Sequence, residues 1–392
     1  MKKILFILSI VLLLSIVNVS AFFPLTHKYE QNILLETYQG NSDFYQACIK
    51  HPDACYVGNV LTDLSVAWYY INGGENYIVT HSPIFAIKML ENAGTTGEQP
   101  KDIEMACAVG SGLHATQDFQ SHNFMIPFAI KNSGLPNSVI HVFAEQHLDT
   151  IVVDQHPEVK TQLNLLSNDS WNKCIPLIKK TLRGFSEYDD EFSSGKLDNV
   201  IYTFVEEVQK SVIPDSTGYD ISFQNKVSLF GKLDFLSLPV ILLYLSSMLL
   251  FLLLTALLIF RKNKGIINYI SIFIFGALFV FLVWFLISAF SGTAFTTFVS
   301  VIKPFSNLAP IGNAQSHIDA SIQNGYDFFD EGEAWLIARQ DPDASGFSTL
   351  HEADEGSYLI YVYIVAILGI LALLIYFNFK RNKIKVRDTF NF

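Results

Sequence analysis

The sequence predicts an all-α exported domain joined to three transmembrane helices. Three observations carry that expectation. Residues 22–212 hold few alternating Val/Ile/Thr runs and are punctuated by Gly73-Gly74, by residues 94–100 and by Gly134-Leu135-Pro136, a pattern of helices rather than strands. Three later runs are apolar over the length of a bilayer core. Basic residues collect on one side of those runs and acidic residues on the other.

Composition narrows the class further. The chain has 392 residues, 50% hydrophobic and 16% charged, with a mean hydropathy of +0.31. Disorder and coiled coil are thereby excluded. Lys plus Arg number 26 against 37 Asp plus Glu, a formal net charge of -11 that argues against a basic nucleic-acid binder.

The elements follow in order. Lys2-Lys3, an apolar run over residues 4–17 and the small residues Ser20-Ala21 predict a signal peptide over 1–21, with Phe22 as the mature N-terminus after cleavage; an uncleaved anchor, for which the run is short, is the other reading. The helical domain is expected over 22–212. Within it, Ser82-Pro83 reads as a helix start, Ser as cap and Pro at the first helical position. Residues 105–122, rich in small side chains, read as a central helix closely surrounded by others. A linker over 213–238 leads to apolar spans at 239–260 and 269–290. Residues 291–356 are expected to form an acidic exported loop with helical character over 328–340, and a third span at 358–377 ends in a basic tail over 378–392.

Orientation follows from charge. The loop after the first span carries Arg261, Lys262 and Lys264, and the tail carries Lys380, Arg381, Lys383, Lys385 and Arg387, so both are expected in the cytoplasm. Residues 22–238 hold 14 basic and 26 acidic residues, and residues 291–356 hold 2 and 10. Both acidic parts are expected outside the cell membrane. Cys48, Cys55, Cys107 and Cys174 all fall in the exported part, where disulfides persist. Cys48 and Cys55 are the nearest candidates to pair; buried free thiols are the other reading.

Chemistry concentrates in His114-Ala115-Thr116-Gln117-Asp118-Phe119-Gln120-Ser121-His122. Spacings of four put His114, Asp118 and His122 along one helical stripe. A charged Asp in an apolar helix needs compensation, from a divalent zinc ion or from a hydrogen-bonded His-Asp-His network. His141 and Glu145 repeat the same spacing further along. His81 precedes the capped helix, Asp63 ends an apolar segment, and His27 lies close to the expected mature N-terminus. Each alone reads as an ordinary capping, turn or surface residue.

Taken in order, these residues resemble the zinc-dependent phospholipase C family, whose helical domain also underlies zinc-dependent nucleases. The shared pattern is an N-terminal residue with a nearby His, a Gly-containing segment ending in Asp, a lone His, His-x3-Asp-x3-His, and His-x3-Glu. The resemblance covers residues 22–212. It implies three zinc ions: one held by Asp63, His81, His114 and Asp118, and one by His122, His141 and Glu145. The third would take His27, the bridging Asp118, and the amine and carbonyl of Phe22, which is free only once the signal is removed. Asp63 is also the candidate catalytic base for a water proton. Residues 22–26 lack the carboxylate of choline-preferring members, so no choline preference is implied.

A second cation site is suggested by Asp341-Pro342-Asp343-Ala344-Ser345-Gly346-Phe347-Ser348-Thr349-Leu350-His351-Glu352, which fits the twelve-residue EF-hand loop. Its calcium ligands would be Asp341, Asp343, Ser345, Phe347 through its carbonyl, and Glu352. A solvated acidic linker is the plainer reading. Three functions are therefore open: a membrane-anchored zinc hydrolase of lipid phosphodiesters, an exported zinc nuclease or other phosphodiesterase, and a non-catalytic metal-stabilised scaffold or sensor. Glu145, where those nucleases generally carry Asp, and the negative charge of the exported part make nucleic acid the weaker substrate.

Overall fold

Two glycines let two helices touch backbone to backbone, and the body is arranged around that crossing. The computed structural model describes residues 24–64, 80–133, 137–163, 168–185 and 303–339, with a few short stretches and single positions between 197 and 283. These residues belong to one compact unit, Val19–Thr349; the second unit, Met1–Asn18 with Leu350–Phe392, lies outside them. Every element of the described residues is helical, as the sequence predicts, and no strand occurs among them.

The first helices are α1 (Pro24–Thr37), α2 (Asp43–Lys50) and α3 (Pro52–Leu61). Next come α4 (Pro83–Asn92), α5 (Lys101–Gln120), a π turn (Ser121–Met125) and α6 (Ile126–Ser133). Then follow α7 (Asn137–Gln155), α8 (Glu158–Leu163) and α9 (Asn168–Arg183). A 3-10 turn (Lys303–Leu308), α10 (Ala314–Glu331) and α11 (Glu333–Ile337) complete the described body. Helix α4 starts as its sequence dictates. The Ser82 hydroxyl accepts from the Phe85 N–H at 3.3 Å, and Pro83 takes the first turn, where its missing N–H costs nothing.

Helix α5 is the central helix. It packs against α2, α3, α4, α9 and α10, and its residues 106–118 are buried throughout. Where α3 crosses it, a Cβ on Gly58 would stand 2.0 Å from the Cys107 carbonyl oxygen, and one on Gly110 1.8 Å from that of Cys55. Any side chain there would force the helices apart. The contact brings the end of α3, and Asp63 just beyond it, to the His114 turn of α5. Disulfides Cys48–Cys55 and Cys107–Cys174 tie α2 to α3 and α5 to α9, so all four cysteines are paired.

One finding lies beyond the expected domain end at residue 212. The segment 303–339, read from sequence as part of an acidic exported loop, packs on the body itself. Phe328, Phe329 and Trp335 are buried, and the Phe328 ring fills the space over Gly112 of α5. Burying each such side chain contributes roughly 1.5–3 kcal/mol, enough to hold α10 and α11 in place. The acids that suggested a loop sit on the outer face: Asp330 and Glu331 are exposed.

No helix among the described residues is long and apolar enough to cross a membrane. The three apolar spans fall almost wholly outside the described residues, as do the signal peptide, Phe22 and the EF-hand-like loop from Asp341 to Glu352.

Candidate metal centre

The imidazoles of His81, His114, His122 and His141 converge, together with His27, on three buried carboxylates. His81 and His114 stand with Nε2 atoms 3.1 Å apart. His81 Nε2 lies 2.7 Å from Asp63 Oδ1, and His114 Nε2 lies 3.5 Å from the same oxygen. Asp118 is at the centre: its Oδ2 is 3.1 Å from His81 Nδ1, 2.9 Å from His114 Nε2 and 3.8 Å from His122 Nε2. Its Oδ1 is 3.6 Å from His27 Nε2. On the far side of His122, the His141 ring lies 4.9 Å away, and His141 Nε2 is 3.0 Å from Glu145 Oε1.

Helix geometry explains this convergence. Helix α5 supplies His114 and Asp118 one turn apart. The spacing predicts His122 on the same α-helical stripe; instead α5 ends at Gln120 and His122 sits in the π turn. The wider turn carries an extra residue, a distortion common at functional sites. His122 thereby contacts both Asp118 and the His141–Glu145 pair of α7. Helix α1 presents His27, and the capped start of α4 presents His81.

Burial and charge set the protonation of the metal-free cluster. Burial, reinforced by the charge of His114, holds His27 down to about 4. Burial likewise holds His122 down to about 3. Burial opposes the charge on His114 as well, but Asp118 and Asp63 outweigh it and raise the ring to about 9. Burial pushes Glu145 up to about 7 against the pull of His141. Asp118 is buried too, which raises it, yet His114 and His81 hold it well below the usual carboxylate range.

Three groups of these side chains could hold a metal ion: His27 with Asp63 and His114, His81 with His114 and Asp118, and His122 with His141 and Glu145. The last is the set implied by the resemblance, and the second is three of its four-residue set. The first differs, since the resemblance pairs His27 with Asp118; the structure brings His27 near both carboxylates. The donors fit a cation. Asp63 Oδ2 and Asp118 Oδ2 are buried and accept no properly aligned hydrogen bond, although imidazole nitrogens crowd around Asp118. A mixed imidazole and carboxylate set suits zinc and its neighbours in the first transition row better than calcium or magnesium, which prefer all-oxygen shells.

Sequence reasoning missed the residues that orient the set. Asn59 Oδ1 accepts from His114 Nδ1 at 3.2 Å, which fixes the ring with Nε2 facing the cluster. Asn59 Nδ2 donates to Gln117 Oε1 at 2.9 Å, and Gln117 Nε2 donates to the His27 carbonyl at 3.4 Å. The available signal was Asn59 itself, a lone amide inside the apolar Val57-Gly58-Asn59-Val60-Leu61. Comparison with known proteins finds no matching family model, no matching curated protein and no matching solved structure.

Proposed function

We propose that the chain is a membrane-anchored, extracytoplasmic phosphodiester hydrolase of the zinc-dependent phospholipase C type, acting on lipid headgroups. The observation that carries this reading is the convergence of five imidazoles and three carboxylates, from six segments of chain, into one buried cluster centred on Asp118. His81, His114, Asp118 and Asp63 would hold one zinc, and His122, His141 and Glu145 another. His27 with the Phe22 terminus would complete a third. Zinc held there would supply an acidified water and offset charge on phosphate oxygens.

The chain's own groups divide the remaining work. Asp63 anchors His81 through Oδ1, while its Oδ2 is buried without a hydrogen bond and is the candidate acceptor for the proton of an attacking water. His141, with a side chain 13% exposed against 6% or less for the other members, marks the side on which substrate meets the cluster. The acidic exported sequence disfavours a polyanion.

The test uses the full chain, because the 303–339 segment belongs to the same body as the cluster. Metal analysis is expected to give about three zincs per chain by the tally of ligand sets above. Hydrolysis is then assayed on a phospholipid panel and on single-stranded DNA. Cleavage of DNA alone would replace this reading with a nuclease. Metal bound without turnover of either substrate would leave a scaffold, and Asp118→Asn would then reduce stability only.

A further inference from the structure

Several large apolar side chains are left in water, two of them within three residues of cluster histidines. Among the described residues, Ile84, Phe124, Phe128, Leu308 and Ile337 are 42–57% exposed; the other exposed large apolar side chains are Ile49 and, within the second apolar run, Val280. Phe124 lies two residues beyond His122, and Ile84 three beyond His81. Phe124 and Phe128 are four apart and both face outward. Phe124, by way of Phe119, and Phe128 both reach the 303–339 segment. The Phe124 ring meets Phe119 at 6.4 Å, Phe119 meets Trp335 at 5.8 Å, and a Cβ on Gly312 would stand 3.5 Å from the Phe128 ring. Phe124 lies in the π turn, Phe128 in α6, Leu308 in the 3-10 turn and Ile337 in α11; Ile84 opens α4, against which α11 packs.

Charge singles out the same surface. Residues 119–144 contain no Asp or Glu and one Lys, Lys131; residues 291–318 contain none and one Lys, Lys303. In a body as acidic as this one, these are the stretches that an anionic surface would not repel. The chain also limits what can reach them. Only residues 291–302 separate the second apolar run from the 3-10 turn, a tether of at most ~42 Å at ~3.5 Å per residue. The face that carries Leu308 would therefore lie within reach of the bilayer in which that run would sit.

We infer that the face formed by Phe124, Phe128 and Leu308 docks on the phospholipid bilayer itself, inserting its apolar side chains among the lipids beside the His141 entrance to the cluster. This rests on the lipid-hydrolase reading above and adds the means by which a headgroup is brought to the site. Half-exposed aromatic rings are suited to the boundary between headgroups and acyl chains, since they gain from burial without requiring a fully dry pocket. The exposed patch then has a purpose that chance exposure of single residues does not supply.

The experiment reconstitutes the full chain in phosphatidylcholine vesicles and adds an indole by Phe124→Trp, Phe128→Trp or, as a control, Ile49→Trp. Fluorescence is compared between ordinary and acyl-brominated lipid, with the wild-type signal subtracted. Indoles at 124 and 128 are expected to lose at least about half their emission to bromine, as burial among acyl chains requires, and the one at 49 to be unaffected. Equal insensitivity at all three positions overturns the inference. Burial that depends on protein density and ignores bromine also overturns it, in favour of a second copy of the chain.

A second arm separates docking from chemistry. Phe124→Ser with Phe128→Ser is expected to reduce hydrolysis of the panel phospholipid that the chain cleaves, presented in vesicles, by about tenfold, while turnover of its dispersed short-chain form is unchanged. Equal losses on both substrates overturn docking. If the wild-type chain hydrolyses no lipid of the panel above, the hydrolase reading fails, and the bromine result alone decides whether the face meets the bilayer.

Discussion

Asp149 and Thr26 meet across 123 residues of sequence: one carboxylate oxygen, Oδ1, accepts both the Thr26 backbone N–H at 2.8 Å and its hydroxyl at 2.6 Å. Both residues are buried. The pair fixes the first turn of α1 against α7, and His27 is the next residue along. The position of His27 in the cluster thus depends on a carboxylate four residues beyond Glu145.

Asp149→Ala is therefore expected to disturb metal binding without removing a ligand. It leaves two buried donors unsatisfied, a cost of ~1–3 kcal/mol for each such group, and frees the turn that presents His27. Thr26→Val removes the hydroxyl bond and keeps the backbone one, so its effect should be smaller. Metal content and Tm measured on the two variants check this. Wild-type metal content in Asp149→Ala would show that His27 needs no such anchor.

Asn59 controls the cluster through His114. Asn59→Ala leaves every ligand in place but removes the acceptor that sets the His114 ring and breaks the link through Gln117 to the His27 carbonyl. Losses of ~10–100-fold in metal affinity are typical of such changes. Competition with a zinc chelator measures it, and an unchanged affinity would mean that packing alone holds the ring.

Metal loading should release protons, and the sign follows from the cluster's charges. His114, raised to about 9 by Asp118 and Asp63 against burial, is protonated at pH 7 in the metal-free chain. Glu145, raised to about 7 by burial, is about half protonated there. Both must lose those protons to bind metal. Affinity should rise with pH up to about 9 and then level off. Zinc titration calorimetry in two buffers of different ionisation enthalpy reads the release directly; heats that do not depend on the buffer would contradict it.

The helices and the ladder of His and carboxylate side chains were legible in the sequence because both rest on local spacing. Ser82-Pro83 specifies its own helix start, and His114, Asp118, His141 and Glu145 are one turn from a partner whatever the rest of the chain does. What was not legible depends on contacts between distant segments. Asn59, Gln117, Thr26 and Asp149 are ordinary polar residues until α1, α3, α5 and α7 are packed. Residues 314–337 read from sequence as part of an acidic loop, with helical character over 328–340 alone, because Asp319, Asp327, Asp330, Glu331 and Glu333 stand there without a Lys or Arg. Their buried face, with Phe328, Phe329 and Trp335, gains meaning only against Gly112 and α5. The Cys107–Cys174 disulfide was hidden for the same reason, whereas Cys48–Cys55 was suggested by proximity.

Gly110→Ala tests the α3–α5 crossing. The added Cβ would meet the Cys55 carbonyl at 1.8 Å, a contact with backbone that no rotamer can relieve. The expected cost is ~1–3 kcal/mol, as for other overpacked cores, despite the better helix propensity of Ala. Separation of the helices also moves Asp63 from His114, so zinc affinity should fall together with Tm. Loss of one without the other would uncouple the crossing from the site.

Glu30 gives a pH dependence that belongs to the fold rather than to the ligands. Its carboxyl is buried in α1 and accepts from the Ser321 hydroxyl of α10 at 2.8 Å. Burial, outweighing that hydrogen bond and aided by Asp118 and Asp149, pushes it from 4.5 up to about 8. Between those values the folded chain keeps a proton that the unfolded chain has lost, so stability falls as pH rises from about 4.5 and levels off above about 8. Glu30→Gln keeps an acceptor for Ser321 and has nothing to titrate. Its Tm should match the wild type below pH 4.5 and exceed it by several degrees at pH 8.5, a gap on the order of a few kcal/mol. Thermal unfolding of both proteins across that pH range checks the sign, and parallel curves would mean that Glu30 ionises without cost where it lies.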